Sequence, residues 1–142
     1  MRLLAPFAAF LLVSFATAED TPAVRKLELK AVKLKHESKT PQVSEIGSAE
    51  ALSKSKLFAD DASREAVSKQ VDFTKEKLIV SAWTGSGSDS ATTEIEKGEV
   101  WTVKFVYEAG KTDDVKPHGY VFVVPKTAKI LNVVQESCGE QQ

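Results

Sequence analysis

The second half of the sequence constrains the fold most, because it holds a series of short apolar segments separated by polar turns. Residues 119–124 are apolar at successive positions, which predicts a central strand covered on both faces. In residues 100–107, alternate positions place Trp101, Phe105 and Tyr107 on one side of a strand, and this aromatic side is predicted to face the core. Residues 91–95 and 129–134 predict further strands, and such a succession favours antiparallel pairing.

Residues 25–36 also predict a strand, although their apolar pattern changes phase. Leu27 and Leu29 alternate with charged residues, whereas Val32 and Leu34 continue on the other parity. A β-bulge within one long strand would produce that change. A helix is the alternative, because Lys, Leu and Glu are all good helix formers.

Two short helices are predicted between these strand regions. Ser48 precedes good helix formers, and Asp60 or Asp61 can cap a second helix whose narrow apolar stripe places it on the surface. Residues 71–73 and 77–83 are predicted to be extended. The whole pattern predicts an α+β protein, mainly an antiparallel β-sheet or sandwich with one or two short surface helices.

Residues 1–18 have the features of a cleavable signal peptide. A positively charged start leads into an apolar run of about a dozen residues, too short to cross a bilayer. Small residues precede the predicted cleavage between Ala18 and Glu19, so we expect a secreted or periplasmic protein with no membrane attachment after cleavage. The remainder divides into a flexible leader at 19–24, a single β-rich domain at 25–135 and a polar tail at 136–142.

Charge and cysteine content exclude some classes of partner and bond. Cleavage removes Arg2, so 18 of the 19 basic residues remain against 20 acidic ones, a formal charge of −2 that does not favour nucleic acid. Cys138 is the only cysteine, which excludes an internal disulfide. In an oxidising compartment it predicts either a tolerated thiol in the tail or a disulfide-linked dimer.

Residues 84–90 form the most site-like segment, because their glycines and serines predict a flexible loop. Its backbone N–H groups and hydroxyls could converge on an anion, although a mobile connection is the favoured interpretation. The sequence gives less support to calcium binding through Asp89, because the ordered Asp-x-Asp pattern of a calcium loop is absent. The candidate ligand-binding residues are Trp83, Thr84, Gly85, Ser86, Gly87 and Asp89.

Asp113, Asp114 and His118 are the candidate acid–base residues. They suggest a hydrolase, but adjacent aspartates in such a segment more often form turns. His36 and His118 have no further ligand at zinc spacing, so we predict no metal site and no cofactor.

Trp83 and Trp101 suggest carbohydrate binding, since exposed indoles stack on sugar rings. Both lie in or beside apolar strands, where burial is the commoner outcome. Sugar binding would require both rings to be exposed on one face.

Residues 71–131 carry a family resemblance. The order of residues 71–80, 84–87 and 120–126 resembles the C-terminal domain of PrcB-type protease-complex subunits and is similar to many uncharacterised secreted bacterial proteins. The chain departs from that pattern at Ser86, where the second glycine belongs, and no Tyr follows. The resemblance implies a non-catalytic accessory or protein-binding domain that presents the segment at residues 84–90.

The sequence therefore predicts an exported, non-catalytic interaction or accessory domain of unknown partner, for which another secreted protein is one candidate. A small-ligand or carbohydrate-binding module is the first alternative. A hydrolase using Asp113, Asp114 and His118 is the second.

Overall fold

The computed structural model describes residues 24–135, so the predicted signal peptide, residues 19–23 of the leader and the polar tail lie outside the described residues. The helices of this part are Ala49–Lys54 (α1) and Asp61–Ser68 (α2). Its strands, in chain order, are Arg25–Lys26 (β1), Ser44–Ile46 (β2), Glu76–Ser86 (β3), Ser90–Glu96 (β4), Thr102–Glu108 (β5), Val115–Pro125 (β6) and Lys129–Gln135 (β7).

The strands form two sheets. One has the order β1-β6-β3-β2, and the other has the order β4-β5-β7. All strand pairs are antiparallel except β5 with β7, which run parallel. The predicted α+β class with mainly antiparallel sheets is confirmed.

The four-stranded sheet has a hydrophobic cluster on each face, because successive side chains of a strand point to opposite sides. Val121 and Val123 of β6 join the cluster that the helices cover, whereas Tyr120 and Val124 join the cluster facing β5. The central strand predicted at residues 119–124 is therefore confirmed. The aromatic side of β5 also faces the core, where Phe105 is 1% exposed.

Both predicted helices are confirmed, and each begins at a polar cap. Ser48 Oγ accepts a hydrogen bond from Ala51 N at 3.0 Å, and Asp60 Oδ1 accepts one from Ser63 N at 2.8 Å. Each such cap satisfies an N–H group that has no partner within the helix. One side of α2 contributes to the core, since Val67 is fully buried.

The long strand predicted at residues 25–36 is wrong, because only Arg25–Lys26 is β-structure of the sheet. The phase change is a turn, in which Val32 N donates to Leu29 O at 3.1 Å, and not a bulge. After it the chain crosses the helix-side face of the sheet, where Leu34 forms an isolated bridge with Phe58. Leu27, Val32 and Leu34 are still buried, so side-chain packing and not a strand ladder accounts for their pattern.

Residues 71–73, predicted to be extended, lie outside β3 and lead into a turn. Lys75 N and Glu76 N donate to Asp72 O at 3.0 and 2.8 Å, and the Asp72 carboxylate accepts from Thr74 N. Asp favours turns because its side chain accepts a hydrogen bond from the backbone two residues on. The extended prediction therefore holds only for residues 77–83.

Candidate functional site

A cleft of about 520 Å³ opens where β3 ends and β6 begins. Residues 36–39 line one side and residues 112–115 line another, and the cleft also contacts the predicted site residues Thr84, Gly85 and Ser86. Asp113 and Asp114 are among its lining residues too. The fold thus brings two predicted sets of site residues, which are far apart in the chain, to one surface.

Segment 36–39 reaches the cleft because it is bonded to the edge of β3. Thr84 N donates to Ser38 O at 2.8 Å, and Thr84 Oγ1 donates to His36 O at 3.3 Å. On its other edge β3 pairs with β6, with Ser86 opposite Val115. Residues 36–39 were not predicted to belong to a site, although the turn-forming residues at 39–42 favour a change of chain direction there.

The flexible loop predicted at residues 84–90 is shorter in the structure, where only residues 87–89 connect β3 to β4. Thr84, Gly85 and Ser86 belong to β3, and β4 begins again at Ser90. The amides after β3 are used within the protein: Gly87 N donates to Asp114 O at 2.8 Å, and Asp89 N donates to Ser86 O at 3.0 Å. These two amides are therefore not free to bind the anion considered for this segment.

We call residues 86–89 together with residues 110–114 the polar corner. Its serine and threonine hydroxyls bond the two segments: Ser86 Oγ accepts from Thr112 N at 3.1 Å and lies 2.8 Å from Thr112 Oγ1. Ser88 Oγ accepts from Lys111 N at 3.1 Å. Gly110 packs so closely against residues 88–89 that an added Cβ would lie 2.5 Å from the Ser88 carbonyl carbon.

The Asp89 carboxylate is the centre of the polar corner. It accepts hydrogen bonds from Gly110 N at 2.7 Å, Trp83 Nε1 at 2.9 Å and Tyr107 Oη at 3.3 Å. Burial raises the pKa of Asp89, but these donors outweigh it and hold the pKa below the ordinary value for aspartate. Burial and the Asp89 charge raise the pKa of Tyr107. The carboxylate therefore joins three parts of the fold through its own hydrogen bonds.

The Trp83 indole is buried, with 2% of the residue exposed. Its ring stacks on His118 with centroids 5.1 Å apart and meets Tyr107 edge-on at 5.8 Å. Trp101 is only partly buried and lies under the Lys97 ammonium, 5.7 Å from the ring centroid. The two indoles do not form the exposed pair that the carbohydrate hypothesis requires.

Asp113, Asp114 and His118 do not form an acid–base set in this structure. His118 Nε2 lies 2.7 Å from Ser86 O. Because a carbonyl oxygen can only accept, Nε2 carries the hydrogen and donates this hydrogen bond. Asp114 pairs with Lys116 at 2.9 Å. The Thr112 hydroxyl and the Lys116 ammonium lower the pKa of Asp114 to about 2. Within residues 24–135, no hydrogen bond connects either aspartate to His118.

In the same described range, no group of three or more His, Cys, Asp or Glu side chains is placed to hold a metal ion. Neither α1 nor α2 has the length and apolar content that a membrane crossing requires. Comparisons with protein-family models, curated proteins and solved structures found no significant match. The resemblance to PrcB-type subunits therefore stays a prediction.

Proposed function

We propose that this chain is an exported, non-catalytic interaction domain that meets its partner at the cleft between residues 36–39 and 112–115. The observation that carries the proposal is the internal use of the polar groups beside this cleft. Asp89, His118 and Asp114 are each bonded to other groups of the same chain. Such bonds favour a rigid recognition surface over groups poised for proton transfer.

The cleft also has the mixed character of an interaction surface. Val115 on its lining is 71% exposed, while Glu37, Lys39 and Asp113 supply charges of both signs around it. Protein interfaces commonly combine an apolar contact area with a polar rim. The partner expected from this chemistry presents an apolar side chain to Val115.

A photo-crosslinking amino acid placed at Val115 tests the proposal. Purified protein would be mixed with the exported fraction of the organism that makes it, with the same label at Val100, 52% exposed, as the matched control. We expect one adduct of defined mass from position 115, absent from position 100 and competed by unlabelled protein. Equal adducts from both positions, or none from position 115, would contradict the proposal.

Small-ligand binding is a second candidate, which the size of the cleft favours. Its volume of about 520 Å³ lies within the range of small-molecule sites. Titration with a fragment library, followed by amide NMR, would then shift Gly85 and Thr112 and leave Val100 unmoved. Fragment binding together with a failed crosslink would replace the first candidate by the second.

A further inference from the structure

Strand β6 is paired along its whole length on one side only. Val115 to Pro125 all lie opposite residues of β3. On the other side, β1 covers Phe122 and Val123, and a hydrogen bond from Leu27 N to Val121 O at 2.8 Å ends that pairing. Within the part of the chain that the structure describes, residues 115–119 are therefore a free strand edge.

The backbone groups on this edge can be assigned from the alternation of the strand. Val121 O faces away from β3, because it accepts from Leu27 N. Groups two, four and six residues earlier face the same way, so Gly119, Pro117 and Val115 direct their backbone polar groups outward. Proline fits this assignment, since a strand tolerates it only where its nitrogen faces away from the paired neighbour.

The outward groups form a defined pattern. Val115 and Gly119 each present one N–H and one C=O, and Pro117 presents only its C=O. No hydrogen bond reaches these groups among the residues that the structure describes. The pattern is three acceptors and two donors, with successive sites roughly 7 Å apart along the strand. An extended polypeptide offers the complementary groups at the same spacing.

A cleft lies at each end of this edge. Val115 lines the cleft of about 520 Å³, and Gly119 lines another of about 410 Å³ together with residues 26–30. A strand laid along the edge would run from one cleft to the other. Side chains at both ends of that strand would then enter clefts, which is how strand-binding domains select sequences.

We propose that residues 115–119 bind an extended segment of a partner polypeptide by β-strand addition. The added strand runs antiparallel to β6, in line with β1 and beyond the point where Leu27 leaves the edge. Its alternate residues donate three N–H groups and accept from Val115 N and Gly119 N. This inference rests on the proposed function and names the partner's chemistry as exposed, extended backbone.

A second copy of the chain fits this edge less well. In a symmetric antiparallel pairing centred on Pro117, each Val115 would meet the Gly119 of the other copy. The two prolines would face each other without an N–H, which leaves both Pro117 carbonyls unpaired. A partner segment without proline at that position satisfies all the outward groups, so the proposed occupant is an extended segment of a different protein.

The test uses a library of random octapeptides displayed against the purified protein. The best peptide is then synthesised in two N-methylated forms, methylated on alternate residues of one parity or of the other. Strand addition uses the N–H groups of one parity only, so we expect one form to bind about tenfold more weakly and the other to bind nearly as well. Amide exchange at Val115 and Gly119 should slow by about tenfold in the complex.

Val115→Pro supplies the matched protein variant. It removes an outward donor and no hydrogen bond to β3, so we expect about tenfold weaker binding, whereas Val115→Thr keeps the N–H and should bind within about twofold.

Equal effects of both methylated forms, with unchanged exchange at Gly119, would overturn strand addition but leave an interaction domain that binds through side chains. Selection of no peptide above the Val115→Pro background would also overturn it, as would a dimer that Val115→Pro dissociates. These results would not affect the evidence from a partner crosslinked at Val115, which tests the proposed function separately. The methylated peptides keep the test valid if Val115→Pro fails to fold.

Discussion

Residues 27–36 and the polar corner are both attached to the four-stranded sheet, but different forces attach them. Residues 27–36 bury Leu27, Val32 and Leu34, and their backbone makes only a few scattered hydrogen bonds. The polar corner contributes no residue to either hydrophobic cluster and is connected by hydroxyls, amides and the Asp89 carboxylate. The attachment of residues 27–36 therefore depends on the volume of their side chains, whereas the attachment of the polar corner depends on the positions of its polar atoms.

This difference predicts which substitutions each region tolerates. An apolar segment should tolerate changes of backbone detail but lose stability when a buried side chain shrinks. The polar corner should tolerate a small loss of apolar volume, but it should lose stability when a side-chain atom is added or a hydrogen-bond acceptor is removed. Four substitutions test the contrast, beginning with the one expected to cost most.

Leu34→Ala should cost the most, about 3 kcal/mol of unfolding free energy. Leu34 is 8% exposed and contacts the helix-side cluster, so truncation leaves a cavity between the segment and the sheet. Leu29→Ala is the matched control, because Leu29 is only partly buried and should cost about 1 kcal/mol. Urea unfolding measures both, and equal losses would mean that residues 27–36 are not packed as described.

Gly110→Ala should cost about 2 kcal/mol through crowding alone. The added methyl would lie 2.5 Å from the Ser88 carbonyl carbon and 2.6 Å from Asp89 N, and backbone cannot move aside as a side chain does. At Gly98 the nearest atom would be at an ordinary 3.4 Å, so Gly98→Ala is the control and should leave stability nearly unchanged. A tolerated Gly110→Ala would show that the two halves of the polar corner are not in contact.

Asp89→Asn should cost about 1.5 kcal/mol at neutral pH, because hydrogen bonds to a charged acceptor are stronger than those to a neutral amide. The hydrogen bonds of Asp89 lower its folded pKa, so its stabilisation is complete above the unfolded value of about 3.9 and is lost as pH falls through the folded pKa. The difference in stability between wild type and Asp89→Asn should therefore shrink below about pH 4. A difference that stays constant down to pH 2 would contradict the role assigned to this carboxylate.

Local sequence patterns identified burial well and hydrogen-bond partners poorly. Leu27, Val32 and Leu34 could be recognised as inward-facing because the alternation of apolar and charged residues reports burial in any extended chain. The same alternation could not show that the segment crosses the sheet instead of pairing with it. Whether a backbone forms a ladder depends on a partner strand elsewhere in the chain.

The candidate site was only half predictable for the same reason. Thr84, Gly85 and Ser86 do line a cleft, but the glycines that marked this segment as a flexible loop reflect close packing, since an added Cβ would overlap the Asp89 carboxylate at Gly85 and the Asp114 carboxylate at Gly87. Asp89 was singled out as a ligand, yet its partners Tyr107 and Gly110 lie 18 and 21 positions away. The register of β4 with β5, which brings them together, is not visible in local composition.

Ser63→Ala should have the smallest effect, about 1 kcal/mol, and it tests whether residues 27–36 depend on any hydrogen bond. Ser63 is 1% exposed on α2, and its Oγ accepts from Lys33 N at 2.8 Å, so the alanine variant leaves that amide without an acceptor. Ser68→Ala on the exposed side of the same helix is the control and should be neutral or slightly stabilising, because alanine favours helix. If Ser63→Ala cost as much as Leu34→Ala, this segment would depend on hydrogen bonds as the polar corner does, and the contrast between the two regions would fail.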